Sequence, residues 1–266
     1  MRRKLAALCA GTLLALSAQA QQGPLTLGAG FHYSSGDYGT SSTTDIASLA
    51  ATAKYDAGPW TYRATVPYIK IDGDNAVIPG VGRVGGGSGT RTESGLGDIV
   101  LGATYAAYSD ARLGVDFTGK VKLGTADEDK GLGTGEHDFI FLVDLYQSFD
   151  RITGFGGIGF HILGDAPGLP LDNVWSVNLG FTYKLDERDS AGLSFDARQR
   201  VASDASPQRE LTGFFVRQLD RLWKAQLYAL SSAWPMAAPT GDSDYPPRGR
   251  FEISMRKKAA INAMPA

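Results

Sequence analysis

His32 and Ser34 stand two apart in HYS (32–34). In an extended chain that spacing puts both side chains on one face, where an imidazole could take the proton of a hydroxyl nucleophile. HYSSG offers no third group to orient His32, so hydrolysis by this pair is the alternative reading rather than the favoured one. GVGRVG (80–85) satisfies G-x-G-x-x-G in form, but a pyrophosphate site needs a strand before it and a helix N-terminus after it. The GGSGTRTESG that follows supplies no helix, and the segment reads as a surface loop. Carboxylates cluster at Asp72 and Asp74, at Asp127, Glu128 and Asp129, and at Asp242 and Asp244. Oxygen ligands so spaced can hold a hard divalent ion, but a solvated loop is the favoured reading. Neither His137, in a loop, nor His161, on an inward strand face, has a second ligand at zinc spacing. No catalytic residue, metal or cofactor is therefore expected.

The other ionisable residues fall into a pattern set by the elements that carry them. In RLGVDFTGKVKLG (112–124), Val115, Phe117, Val121 and Leu123 take odd positions, while Asp116, Thr118, Lys120 and Lys122 take even ones. VWSVNLGFTYKLD repeats the pattern, with Trp175, Val177, Leu179, Phe181, Tyr183 and Leu185 opposite Ser176, Asn178, Thr182 and Lys184. Ile99, Leu101, Ala103 and Tyr105 form another apolar set, and Phe139, Phe141, Val143 and Leu145 a further one. Period two is the signature of a β-strand with one apolar face. The alternation predicts twelve strands, near 25–34, 45–56, 60–72, 96–109, 113–125, 138–149, 152–163, 174–185, 191–201, 209–219, 222–234 and 249–257. Register is ambiguous only in 209–219, where Phe214 and Phe215 are adjacent.

Connections alternate between short turns (56–59, 109–112, 150–151, 186–190, 220–221) and long segments (35–44, 73–95, 126–137, 164–173, 202–208, 235–248) rich in Gly, Pro, Asp and Ser. Strands of about 9–11 residues, even in number and joined in this way, match a transmembrane antiparallel up-and-down β-barrel. Hydrocarbon offers no partner to an unpaired backbone group, so a spanning sheet must close. Trp60, Trp223, Tyr55 and Tyr183 fall near the short-turn ends, and Trp175, Trp234 and Tyr68 near the long-loop ends. Two aromatic girdles are what the two membrane interfaces favour. The competing all-β reading is a soluble sandwich or lipocalin-like barrel, whose strands would be nearer five or six residues.

Arg2, Arg3 and Lys4 precede the apolar run Leu5 to Leu16, and Ala18-Gln19-Ala20 supplies small residues before a cleavage point. Residues 1–20 thus read as an export signal, residues 21–258 as the barrel and 259–266 as a tail. Cys9, the single cysteine, lies in the leader, so the mature chain contains no disulfide. Loss of the three leader cations leaves 23 Lys+Arg against 28 Asp+Glu, a net charge of −5, which disfavours nucleic acid as a partner. No apolar run after residue 20 is long enough for a spanning helix.

SGLGDIVLGATY (94–105), VKLGTADEDKGLGTGEHDF (121–139) and VPYIKI (66–71) resemble the outer-membrane family named for the meta-pathway of phenol degradation. The resemblance runs along most of the mature chain. It implies a β-barrel that moves small molecules, aromatic compounds among them, and it assigns no catalytic residues. One departure is the ending: RFEISMRKK runs on into AAINAMPA, where such barrels usually end on an aromatic residue read by the assembly machinery.

Strand parity turns Lys54, Arg63, Lys120, Lys122, Lys184, Arg198, Arg200, Lys224 and Arg256 inward, against Asp98, Asp116, Asp138, Asp144, Asp196 and Glu252. Charges of both signs facing a narrow interior must pair or sit in water, so a charged lumen is expected rather than a greasy tunnel. Its excess of cations points to anion preference in the way that basic rings favour anions, unless the charges are internal ion-pair ladders. The sequence reading is therefore a channel or transporter in a Gram-negative outer membrane, passing small molecules that include aromatic or anionic compounds. Its partners would be outer-membrane lipid, lipopolysaccharide, the barrel assembly machinery and a small-molecule substrate. The alternatives are a lipid-modifying hydrolase using His32 and Ser34, and a structural barrel acting through its loops. Loop 73–95 is left open: it could enter the pore or stand clear of it.

Overall fold

The computed structural model describes residues 13–19, 24–38, 40–83, 89–166, 168–203, 205–220 and 223–232. Among them are fifteen strands and no helix. In chain order these are β1 (Leu13–Gln19), β2 (Leu25–Gly36), β3 (Thr44–Ala57), β4 (Trp60–Asp74), β5 (Val77–Ile78), β6 (Gly82–Arg83), β7 (Thr90–Leu96) and β8 (Ile99–Ser109). They continue with β9 (Leu113–Leu123), β10 (Asp138–Phe149), β11 (Ile152–Ile162), β12 (Val174–Lys184), β13 (Asp189–Arg198), β14 (Gln208–Gln218) and β15 (Trp223–Ser232). From β8 to β15 each strand pairs antiparallel with the next, and β2 pairs with β3 and β3 with β4, in one curled sheet. Eleven of the twelve expected strands are present; the twelfth, 249–257, lies outside the described residues.

Two elements depart from the sequence reading. Residues 13–19, within the expected leader, form β1, which pairs with β2 on one side and β15 on the other. The expected strand 96–109 is broken at Gly97–Asp98. Only Leu96 of it lies before the break; that residue ends β7, a strand within the expected loop 73–95, which pairs with the upper half of β4 (Tyr68–Asp74), while β8 pairs with the lower half (Trp60–Thr65). The break has a local cause: the Asp98 carboxylate accepts the backbone N–H groups of Thr125 and Ala126 (3.1 and 3.0 Å). Those bonds turn residue 98 away from the ladder, while Gly97 N–H donates to Pro67 O (2.9 Å).

Side chains partition as the alternation predicts, and inversely to a soluble protein. On β12 Trp175, Val177 and Leu179 are exposed, Leu179 at 67 %, while Ser176, Asn178 and Thr182 are buried. Register places Val121 opposite Phe139, Phe117 opposite Val143 and Val115 opposite Leu145, so the apolar set runs unbroken from strand to strand. The ambiguity in β14 is decided by β15. Phe214 stands opposite Tyr228, and both turn inward and pack together with Val216, while Leu211 faces out.

Three short turns share one device, an aspartate that accepts backbone N–H groups two or three residues on. Asp110 accepts from Arg112 and Leu113 (both 2.7 Å). Asp186 accepts from Arg188 and Asp189 (2.7 and 2.8 Å), and Asp220 from Trp223 (2.9 Å). These hydrogen bonds favour the ionised form and hold the carboxyls of Asp110 and Asp186 below the ordinary carboxylate range.

Candidate functional site

The sheet's inner face carries charged and polar side chains along its length, with an apolar cluster among them toward the long loops. Lys54 of β3 stands opposite Arg63 of β4, with Lys54 Nζ 2.6 Å from Asp56. Asp116 of β9 stands opposite Asp144 of β10, which also accepts from Asn178 Nδ2 (3.2 Å). Lys120 shares the face of Asp116 and Lys122 by strand parity, and Lys224 of β15 stands opposite Gln218. Asp196 and Arg198 lie on β13, where Ser194 Oγ donates to Asp196 (3.2 Å). Lys184, at the end of β12, is exposed, and so is Arg200, two residues beyond β13. Glu252 and Arg256 lie outside the described residues.

Lys122 is the centre of a buried ion cluster. Its Nζ lies 3.3 Å from Asp98 and 2.8 Å from Asp138, and donates to Thr134 Oγ1 (3.3 Å). Asp138 also accepts Gly164 N–H (3.0 Å). One cation thus joins the starts of β8 and β10, the end of β9 and the 124–137 loop. These are the stretches, SGLGD, VKLGT and GLGTGEHD, in which the family resemblance is concentrated. The glycines there have steric causes. Gly131 has φ +60° with the Arg91 guanidinium where a Cβ would go, and Gly124 packs directly on the backbone of Gly135.

Residues 75–83, part of loop 73–95, turn into the interior. Asn75 heads a hairpin (β5–β6) whose Ala76, Val77 and Val81 are buried, Val77 completely. On one side the hairpin packs against Ile46, Ile69, Ile71, Ala126 and Leu132; on the other, against Leu171, Val174, Val201 and Ala202. Arg91 fastens it, donating to Asn75 O (2.9 Å), Val77 O (2.7 Å) and Gly131 O (3.0 Å). Arg198 Nη2 donates to Gly80 O from across the interior (2.9 Å). The described part of GVGRVG is therefore capping structure.

Beside the charged positions, the inward residues near the long loops include Ile46, Ile69, Ile71, Val100, Ile140 and Val174, all buried. They form a core with the hairpin, and several inward charges are consumed in bracing it. Neither the hairpin nor Arg91 figured among the sequence candidates. The available signal was Ala76-Val77-Ile78-Pro79, an apolar run that a solvated loop has no reason to contain.

The His32–Ser34 pair is not formed: Ser34 Oγ bonds to Tyr38 Oη (2.7 Å), and His32 stands opposite Ser48. A different pair, His161 Nε2 and Ser176 Oγ, lies 2.9 Å apart and buried. Both lie within paired strands, His161 near the end of β11 and Ser176 near the start of β12, where the ladders engage the backbone N–H groups that an oxyanion would need. Asp72 and Asp74 accept from Thr92 and Ser42 respectively. Among the described residues no three His, Cys, Asp or Glu are grouped to hold a metal.

A family model described as "Putative MetA-pathway of phenol degradation" matches residues 17–219. A search of the curated proteins finds no match. Among solved structures, an outer membrane channel from Pseudomonas putida F1 is similar at TM-score 0.51 and 11% identity, over 86% of this chain and 97% of that one. The Pseudomonas putida toluene transporter TodX aligns at TM-score 0.45 and 12% identity, covering 85% and 89% of the two chains. The Ralstonia pickettii toluene transporter TbuX aligns at TM-score 0.43 and 10% identity, covering 84% and 87%.

Proposed function

The chain belongs to the MetA-pathway family of phenol degradation, and from that membership we propose that it is an outer-membrane channel for small molecules rather than an enzyme. The observation that supports this most is the inverted partition: apolar side chains on the outer face, charged and polar ones within, and a hairpin across the inner space. The same inversion supports placement in a Gram-negative outer membrane, in contact with lipid and lipopolysaccharide and inserted by the barrel assembly machinery.

The proposed architecture is a closed barrel of twelve strands. With residues 1–20 removed by cleavage, the facing edges of β2 and β15 would be left unpaired, which hydrocarbon does not tolerate. In the proposed barrel residues 249–257 would supply the twelfth strand, with Glu252 and Arg256 inward. The lining then comprises Lys54, Arg63, Asp116, Lys120, Asp144, Asp196, Arg198, Lys224, Glu252 and Arg256, with Lys184 and Arg200 at the two rims. Asp98, Lys122 and Asp138 hold the cap above it.

Liposome swelling with the mature chain tests the function. Entry of sugars, amino acids and aromatic acids of low mass is the expected result; liposomes that admit none of them would rule out a channel.

A further inference from the structure

Beneath the hairpin lies a cavity whose walls include Ile69, Val100, Ile140 and Leu171, and also Asp98, Asp138 and His161, with Lys122 and Arg198 both reaching it. The two cations differ in how they are satisfied. Lys122 has two carboxylates and a hydroxyl around it. Arg198 has one acceptor, the Gly80 carbonyl; its Nε is buried without a hydrogen-bond partner, and no carboxylate lies within ion-pair distance among the described residues. Glu210, diagonal to it on β14, is close enough to feel its charge but accepts its hydrogen bond from Gln208 Nε2 (2.6 Å).

A buried guanidinium N–H with nothing to donate to is costly, and the planar fork to which it belongs matches a carboxylate edge. Apolar walls beside it suit the body of the same ligand. We propose that Arg198 is the anion-recognising residue of a binding site under the cap, and that its ligand is a small organic monocarboxylate with an apolar body. The orphan Nε and the adjoining Nη2 grip the carboxylate side-on, and Ile69, Val100 and Ile140 take the hydrocarbon. The site rests on the channel reading and supplies its selectivity: of two solutes alike in size and shape, the carboxylate is held and the neutral one passes by.

The test is calorimetric titration of the folded full barrel in detergent with benzoate and with benzyl alcohol, on wild type and on Arg198→Gln and Arg198→Lys. The proposal expects benzoate to bind about tenfold or more tighter than benzyl alcohol. Arg198→Gln should remove that preference, and Arg198→Lys, which keeps the charge but not the fork, should fall between. Heat-modifiable migration on gels checks folding, and the lysine variant together with the wild-type preference decides the matter if the glutamine variant fails to fold. Equal binding of the two ligands, or benzoate binding indifferent to residue 198, would overturn the site. So would an Arg198→Gln channel that merely leaks every solute faster, since that would make Arg198 a latch on Gly80 alone. Liposome swelling with a neutral sugar keeps the questions apart: normal swelling without Arg198-dependent binding defeats this site only, whereas no swelling with any solute defeats the channel itself.

Discussion

Lys122 shows what a single inward charge does in this molecule. With its side chain 11 % exposed between two carboxylates equally buried, it cannot be removed without leaving Asp98 and Asp138 facing each other uncompensated. Breaking a buried ion pair from one side costs about 3–5 kcal/mol. Lys122→Met should therefore lower the unfolding midpoint in detergent steeply, and adding Asp98→Asn should restore part of the loss. The turn aspartates act at the opposite extreme of exposure. Asp110 titrates lower in the folded chain than in the unfolded one, because the N–H groups of Leu113 and Arg112 and the Tyr108 hydroxyl bind its ionised form. Its contribution is thus complete above the unfolded value, near 3.9, and is lost as pH falls through the lower folded value. Asp110→Asn, which keeps an acceptor but does not titrate there, should narrow the difference between unfolding midpoints measured at pH 7 and pH 3. At this scale the sequence offers parity as its one guide to which charges share a face. It gave no sign of which were already engaged, because Lys122 meets Asp98 and Asp138 only through the meeting of three strands.

Among the elements, the strands were legible and the cap was not. Period two survives any loop, so eleven strands follow from alternation. A break such as Gly97–Asp98 depends on a contact 27 residues away, between Asp98 and Thr125, and leaves no local trace. The 75–83 hairpin was hidden for a related reason. Its glycines and prolines read as surface loop, and only Val77, Ile78 and Val81 hint that it is meant for a core. Arg91 is its main polar fastening, with three backbone carbonyls accepting from one guanidinium. Arg91→Ala should loosen the hairpin and raise the swelling rate of arabinose-loaded liposomes several-fold, with the barrel still folded by gel migration. An unchanged rate would mean that the hairpin does not limit passage.

For the whole molecule, the outer surface is the argument. Leu27, Phe31, Leu49, Phe117, Phe141, Leu179, Phe181 and Leu211 are all more than 40 % exposed. A contiguous apolar band of this kind is a liability in water and a requirement in lipid. Trp60 stacks beside Tyr62 and tilts against Tyr105 at the short-turn end, while Trp175 packs on Phe160 toward the long loops, as interfacial belts would. Alternation and aromatic placement were readable because each strand carries its own pattern, whichever strands it meets. Closure was less so, since it requires the two ends of the chain to meet. The most direct measurement is Trp fluorescence of the mature chain reconstituted into bilayers whose acyl chains carry bromine. Trp60, Trp175 and Trp223 on the outer face should be strongly quenched relative to unbrominated lipid. Fluorescence indifferent to the bromine would mean that these side chains never meet hydrocarbon, and the membrane channel would fall with them.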